Sequence, residues 1–336
     1  MKAFLVFTLF LLILVIASSL VKKKKFNFFD KTHTNLLKGF AILTVFWAHI
    51  GSSYDIGGIQ WIAAIGVSLF LIASGYGLRY SYKKSGLNNF WKKRFFTVIV
   101  PYWFVYLVGA IFTAKVYNIK LVSEIFFFTR ANWYIRYILI IYIVYWIIMK
   151  LVSRYKLNDG IFYGLLLASF TVWFIVESVY FAKADAPSLL ARQMFAFPLG
   201  TIFCDYYGKI KLFFTEKKYH FAHILIGIGS FLIFVFSQTS TILNLPYLLS
   251  NTIALFTVLP MALTVIWMSI IIQRLFNNYL FSLLGTISYE IFLVQYMSRN
   301  LVVEGQQLSL YICFFATILI SYCVHYGYKK LVLSKI

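Results

Sequence analysis

The chain has 336 residues, 62% of them hydrophobic, with a mean hydropathy of +0.83. That is above the roughly 45–50% apolar share of soluble domains and fits a chain that lives in the bilayer. The formal net charge is +21, but its cations sit in short loops between apolar runs, where they act as topology signals and contacts for anionic lipid rather than as a nucleic-acid surface. Cys204, Cys313 and Cys323 have no paired spacing, which argues against a disulfide framework and a zinc site.

A membrane span needs about 20 mostly apolar residues. On that basis the chain offers candidate spans at 3–21, 35–53, 60–79, 95–114, 132–150, 161–181, 187–206, 220–238, 252–272, 279–299 and 308–328. The fold class is therefore all-α, a polytopic transmembrane helix bundle of about 11 spans. With the N-terminus outside, the cytosolic side collects Lys22 to Lys25, the Lys83–Lys84 and Lys92–Arg94 groups, Lys217, Lys218 and the C-terminal lysines. With Lys31, Lys38, Arg79, Lys150, Arg154, Lys156, Lys209, Lys211 and Arg274 that side holds 23 of the 31 Lys and Arg residues, the bias the positive-inside rule demands. Localisation is thus predicted as a multi-pass plasma-membrane protein with a cytosolic C-terminus. Lys2, an apolar run and Ala17-Ser18-Ser19 resemble a signal peptide. The lysine cluster that follows disfavours translocation, so the reading is an uncleaved anchor.

The division expected is an N-terminal anchor and basic loop over 1–34, a core over 35–328 and a short tail over 329–336. The second span is the most informative, because charges inside a bilayer are costly. Lys38 and His49 lie eleven residues apart, about 16 Å of helix rise and three turns, so both project from nearly one face. For His49 two readings stand level: an interior histidine bonded to a neighbouring helix, or a general base near working pH. Lys38 alone reads as a lysine snorkelling from a helix end. Arg136 and Arg192 fall in outer thirds of spans, where reaching for headgroups competes with a site role. Glu290 lies inside a span, either paired with a basic residue or orienting Lys38 or a ligand. Glu177 and Asp205 read as interfacial, His33 as a loop residue, and Tyr142, Tyr145, Trp146 and the Phe126–Phe128 run as packing. His220 and His223 open a helix without a third metal ligand in view.

Lys38, ten residues, then His49 resembles the Arg/Lys-x10-His motif of acyltransferase family 3, the membrane O-acyltransferases of bacterial polysaccharides. Ile65-Gly66-Val67-Ser68-Leu69-Phe70 through Ser74-Gly75-Tyr76 is similar to that family's Gly-Val-x-Leu-Phe-Phe-x-x-Ser-Gly-Phe. Phe90, Lys92, Lys93, Arg94 and Pro101-Tyr102 look like its basic loop and Pro-Tyr helix. Asn132-Trp133-Tyr134-Ile135 and Ser288-Tyr289-Glu290-Ile291-Phe292-Leu293 resemble two further segments, in family order. Three departures are visible. Asn35 stands where relatives carry an acid, Thr97 and Val98 where a second Arg is common, and Gln295 where His is frequent.

The resemblance implies a ten-helix acyltransferase core behind one extra N-terminal span. It implies no permanently bound cofactor and an acyl-CoA donor, usually acetyl-CoA, arriving from the cytosol at Lys38, Lys93 and Arg94. Lys83, Lys84 and Lys92 complete an expected anion funnel. His49 would deprotonate an acceptor hydroxyl, with a covalent acyl-histidine as the alternative. Ser74 is a candidate oxyanion donor, and Trp133, Tyr134, Arg136, Arg192 and Glu290 are candidate substrate contacts. The acceptor implied is a surface polysaccharide or lipid-linked glycan, reached directly or through glycan-biosynthesis partner proteins, since the chain ends soon after its last span. The competing readings are an exporter or flippase of a glycan or lipid-linked intermediate, and a structural membrane scaffold. Transporters favour internal repeats and interrupted helices, and no repeat is evident in the sequence.

Overall fold

A computed structural model describes residues 1–21, 25–54, 56, 58–112, 133–180, 188 and 190–331. Lys22 to Lys24, the Phe126–Phe128 run, Asn132 and the end of the predicted tail lie outside the described residues. All regular structure among the described residues is helical. The longer helices are α1 (Lys2–Ser19), α2 (Lys31–Gly51), α3 (Gln60–Ser85), α4 (Val100–Phe112), α5 (Trp133–Arg154) and α6 (Asp159–Tyr180). They continue as α7 (Ala196–Asp205), α8 (His220–Ser237), α9 (Tyr247–Ile271), α10 (Tyr279–Thr286), α11 (Ser288–Ser298) and α12 (Gln307–Leu331).

Among the described residues eight helices are long and apolar enough to cross a membrane, and each falls on one of the predicted runs. The run at 279–299 is not one straight span. It breaks at Ile287 into α10 and α11, bent by 82°. The run at 187–206 is a turn at Ala191–Gln193 followed by the ten-residue α7, too short to cross alone. At 95–114 a π turn, Phe95–Ile99, precedes α4. Pro101 has no N–H to give, so the chain widens there rather than continuing an i→i−4 ladder. Carbonyls of this turn are taken from other helices. Tyr289 donates to Val98 O at 2.6 Å, and Tyr328 donates to Phe96 O.

α2 begins four residues before the predicted start, because Asp30 caps it. The Asp30 carboxylate accepts from His33 N at 2.7 Å and from Asn27 N at 2.8 Å, satisfying an orphan N–H of the first turn. This moves His33 out of the predicted loop and into the helix, where it is fully buried. Phe29 N–H donates to His33 Nδ1 (2.9 Å), and His33 Nε2 meets Ser269 Oγ at 2.7 Å. Ser269 already donates to Ile266 O, so the imidazole is read as neutral, with its proton on Nε2.

Two glycine crossings set the helix spacing around the site. A Cβ on Gly75 would stand under 3.0 Å from Phe197 O, and one on Gly200 would do the same at Ile72 O. α3 and α7 therefore meet backbone to backbone. The same reciprocity joins α2 to α10, where Gly39 faces Phe281 O and Gly285 faces Asn35 O. Such contacts let bilayer helices approach closely without a hydrophobic driving force.

Candidate active site

One stripe of α3, Phe70, Ser74, Gly77, Tyr80 and Lys84, follows the helical repeat and lines a cavity of about 1210 Å³. Fourteen residues of rise make this wall about 21 Å long. Facing it are Lys31, Thr34 and Lys38 of α2, Tyr134 and Tyr142 of α5, and Ser288, Tyr289 and Phe292 of α11. The break at Ile287 is what turns the first residues of α11 towards this space.

The cavity is cationic. Lys31, Lys38, Lys83 and Lys84 line it, against one acid, Asp30, whose carboxylate is occupied by the α2 N-terminus. Lys83 Nζ pairs with Asp205 Oδ1 at 2.6 Å. Lys31, Lys38 and Lys84 form no ion pair among the described residues. At one edge Tyr207 donates to Phe28 O (2.7 Å). Burial holds the Tyr207 hydroxyl above the usual tyrosine range, with the Asp30 charge adding to the effect, so it stays a donor.

Of the predicted site residues, Lys38, Ser74 and Tyr134 come together on this cavity. Ser74 Oγ lies 3.2 Å from Tyr142 Oη, giving two hydroxyls at one point of the wall. Tyr134 packs on Phe292 with ring centroids 4.7 Å apart, and Trp133 stands edge-on to Tyr134. His49 is not on the lining. It sits beside the Gln295 side chain, with Arg299 in electrostatic range. Gln295 follows the lining residue Phe292 by three positions on α11, so His49 lies about one turn past the cavity's wall.

Lys93 and Arg94 do not reach the cavity. They border a small separate crevice with Tyr82 and Tyr145, and the Arg94 guanidinium lies over the Tyr142 ring at 5.4 Å. Of the expected anion funnel, Lys38, Lys83 and Lys84 line the cavity, and Lys31, not expected there, joins them. Glu290 points away from the cavity and binds His325 Nδ1 at 2.8 Å, which is the basic-partner alternative rather than the ligand-orienting one. Arg192 lies in the turn before α7, and its Nε is buried without a hydrogen-bond partner among the described residues. Arg136 is half-buried on α5.

Sequence reasoning missed the ion cluster beneath this site. Asp205 reads as interfacial from its place at a span end, but its side chain is only 6% exposed. It accepts from Arg79 Nε at 2.8 Å, Arg79 Nη2 at 2.6 Å, Lys83 and Tyr163 (2.7 Å). Arg79 also reaches Asp159 at 2.5 Å, so α3, α6 and α7 share one charge network. The available signal was an arginine one turn before the α3 lysines, inside an otherwise apolar helix. Tyr142, read as packing, and Tyr76, Tyr80 and Tyr207 also line the cavity. No group of three His, Cys, Asp or Glu side chains that could hold a metal ion occurs among the described residues, and the three cysteines are free.

A multi-pass helical bundle with a cation-lined cavity between its helices defines an integral membrane protein with a polar site among its spans. A family model described as an acyltransferase domain matches residues 32–326, and the chain belongs to that family, acyltransferase family 3. α1 lies outside the matched segment. No curated protein and no solved structure matches this chain.

Proposed function

We propose that the protein is a plasma-membrane O-acyltransferase that moves an acyl group, most simply acetyl, from acyl-CoA to a hydroxyl of a surface polysaccharide or lipid-linked glycan. The observation that carries this reading is the cavity, whose cationic rim at Lys31, Lys83 and Lys84 leads past Lys38 to the Ser74–Tyr142 hydroxyl pair. Phosphates suit the rim, and the polar arm that carries a thioester suits a deeper wall with two hydroxyls. On this reading the rim faces the cytosol, as the lysine distribution favours, and the N-terminus is outside.

In the proposed step, His49 takes the acceptor's hydroxyl proton as its oxygen attacks the thioester carbonyl. The C–O bond forms and the carbonyl electron pair moves onto oxygen; Ser74 and Tyr142, about 21 Å of helix rise from the level of His49, flank the donor's arm and not this oxyanion. The C–S bond then breaks, and the leaving thiolate recovers the proton from the imidazolium. His49, past the cavity wall, meets the alcohol from the opposite side to the donor. Transfer of radiolabel from acetyl-CoA to cell-envelope glycan by protein in nanodiscs is the test. His49→Ala is expected to abolish it while the protein still folds. Full transfer by that variant would overturn the assignment of the base.

One observation favours a second reading, an exporter or flippase. The broken span α10–α11 is the kind of interruption that transporters use at a binding site. Movement of a lipid-linked glycan across vesicles without acetyl-CoA would support it; movement only of the acyl label would not.

A further inference from the structure

The cavity's mouth carries an aromatic group that the proposed chemistry does not use. Tyr76 and Tyr80 stand one turn apart on α3 with their rings parallel, 9° between planes and 6.3 Å between centroids. Phe29 closes edge-on against Tyr76 at 5.0 Å, so the inner ring is held. The outer ring is not, since Tyr80 is 58% exposed. Gly77, on the same stripe, would meet nothing within 4 Å if it carried a Cβ, which leaves bare backbone beside the rings. Lys84 follows Tyr80 by one turn, and Lys31 lies across the cavity.

Tyrosines near a membrane surface commonly form a headgroup belt. These rings line the cavity instead, near Lys84 and Lys31, which no carboxylate holds among the described residues. A flat face, open space beside it, one unpaired ammonium group a turn away and another across the cavity match a nucleotide, whose base stacks and whose phosphates need charge.

We infer that Tyr80 is a specificity residue for the donor, a shelf on which the purine base of a nucleotide-bearing thioester stacks while Lys84 and Lys31 hold its phosphates. This rests on the acyl-CoA reading. Tyr80 lies six residues, about 9 Å of rise, from Ser74, so base and pantetheine arm occupy different parts of one wall. The shelf acts on binding and leaves the bond-making step alone.

The test uses the whole protein in nanodiscs with two donors, acetyl-CoA and acetyl-pantetheine, which lacks the nucleotide. Tyr80→Ala is expected to raise KM for acetyl-CoA about tenfold with kcat little changed, to leave KM for acetyl-pantetheine unchanged, and to be rescued by Tyr80→Phe. Calorimetric titration with 3′,5′-ADP reads the shelf without any turnover, and the same variant is expected to weaken that binding by a similar factor. An equal rise in KM for both donors, or wild-type 3′,5′-ADP binding in Tyr80→Ala, overturns the inference. Tight 3′,5′-ADP binding that depends on Tyr80, in a protein that transfers from neither donor, upholds the shelf and removes the acyl-CoA reading alone.

Discussion

Lys38→Met separates stability from ligand binding. Lys38 is half-buried on the cavity wall, with no hydrogen-bond or ion-pair partner among the described residues. Met keeps most of the stem's packing and removes the charge. An ammonium taken partly out of water without a partner is a cost to the folded state, so the substitution is expected to leave thermal stability unchanged or slightly raised. Ligand binding should move the other way. A hydrogen bond to a charged group contributes about 1.5–3 kcal/mol, which at about 1.4 kcal/mol per decade is a loss of roughly 10- to 150-fold in Kd. Titration of purified protein with acetyl-CoA in the calorimeter reads the second effect, and tryptophan-monitored unfolding reads the first. Lys38→Arg, which retains the charge, should recover much of the affinity. A variant that unfolds several degrees lower while binding normally would show that Lys38 is a structural cation and refute the reasoning.

Asp205→Asn removes the charge that four donors share and leaves Lys83 with no carboxylate. Breaking a buried pair costs about 3–5 kcal/mol, so the thermal midpoint should fall clearly, and an unchanged midpoint would count against the network. Gly75→Ala and Gly200→Ala should each reduce folded protein in the membrane, whereas Gly77→Ala on the same helix should not. Because both positions report one crossing, the double variant should lose less than the sum of the two; strict additivity would mean the helices do not meet there. His33→Leu strands a buried Phe29 N–H, an expected loss of about 1–3 kcal/mol in the unfolding assay.

The membrane class and most of the bundle were legible because a span's length and apolarity are set by the bilayer. The exceptions share a cause. The π turn before Pro101, the short α7 and the break at Ile287 are interruptions of backbone geometry inside runs whose composition stays apolar, and a hydropathy window does not register geometry. The motif residues were visible but their roles were mixed. Gly39, Gly75 and Gly285 are places where two backbones touch, and Tyr289 ties α11 to the π turn. Ser74 and Lys38 reach the cavity. Asn35, three residues before Lys38, bonds Ser282 O on α10 at 2.9 Å, so here it joins helices. Lys93 and Arg94 looked like donor contacts because they are basic beside a motif, but a helix has faces, and theirs turns to Tyr142 and Tyr145. Asp205 was misplaced because its partner Arg79 is 126 residues away in sequence, and no local pattern announces such a pairing.

α2 separates two environments, which gives a physical reason for the spacing of its two ionisable groups. Lys38 and His49 share one face. The opposite face, Phe40, Leu43, Thr44 and Trp47, lines a second cavity of about 400 Å³ whose other walls include α1 and α9. The polar atoms there are already engaged. Trp47 Nε1 donates to Thr8 Oγ1, which itself donates to Phe4 O, and Thr44 donates to Ala41 O, so that space is hydrocarbon. A helix lying between a charged cavity and an apolar one would slide or rotate unless fixed, and a rotation of one residue's angle would carry His49 away from Gln295. Four fixings cluster at the Lys38 end: the Asp30 cap, the His33–Ser269 contact, the Asn35 bond and the Gly39–Gly285 crossing all fall within ten residues of chain, while Trp47 and Ala48 O are bonded at the other. From that anchored end, eleven residues of stiff helix deliver the imidazole to a fixed depth. On this argument the ten-residue spacing between the lysine and the histidine is a ruler, and inserting one alanine after Thr44 should abolish transfer while 3′,5′-ADP binding at the other end persists. Retained transfer with the insertion would mean that the depth of His49 is not what the helix sets.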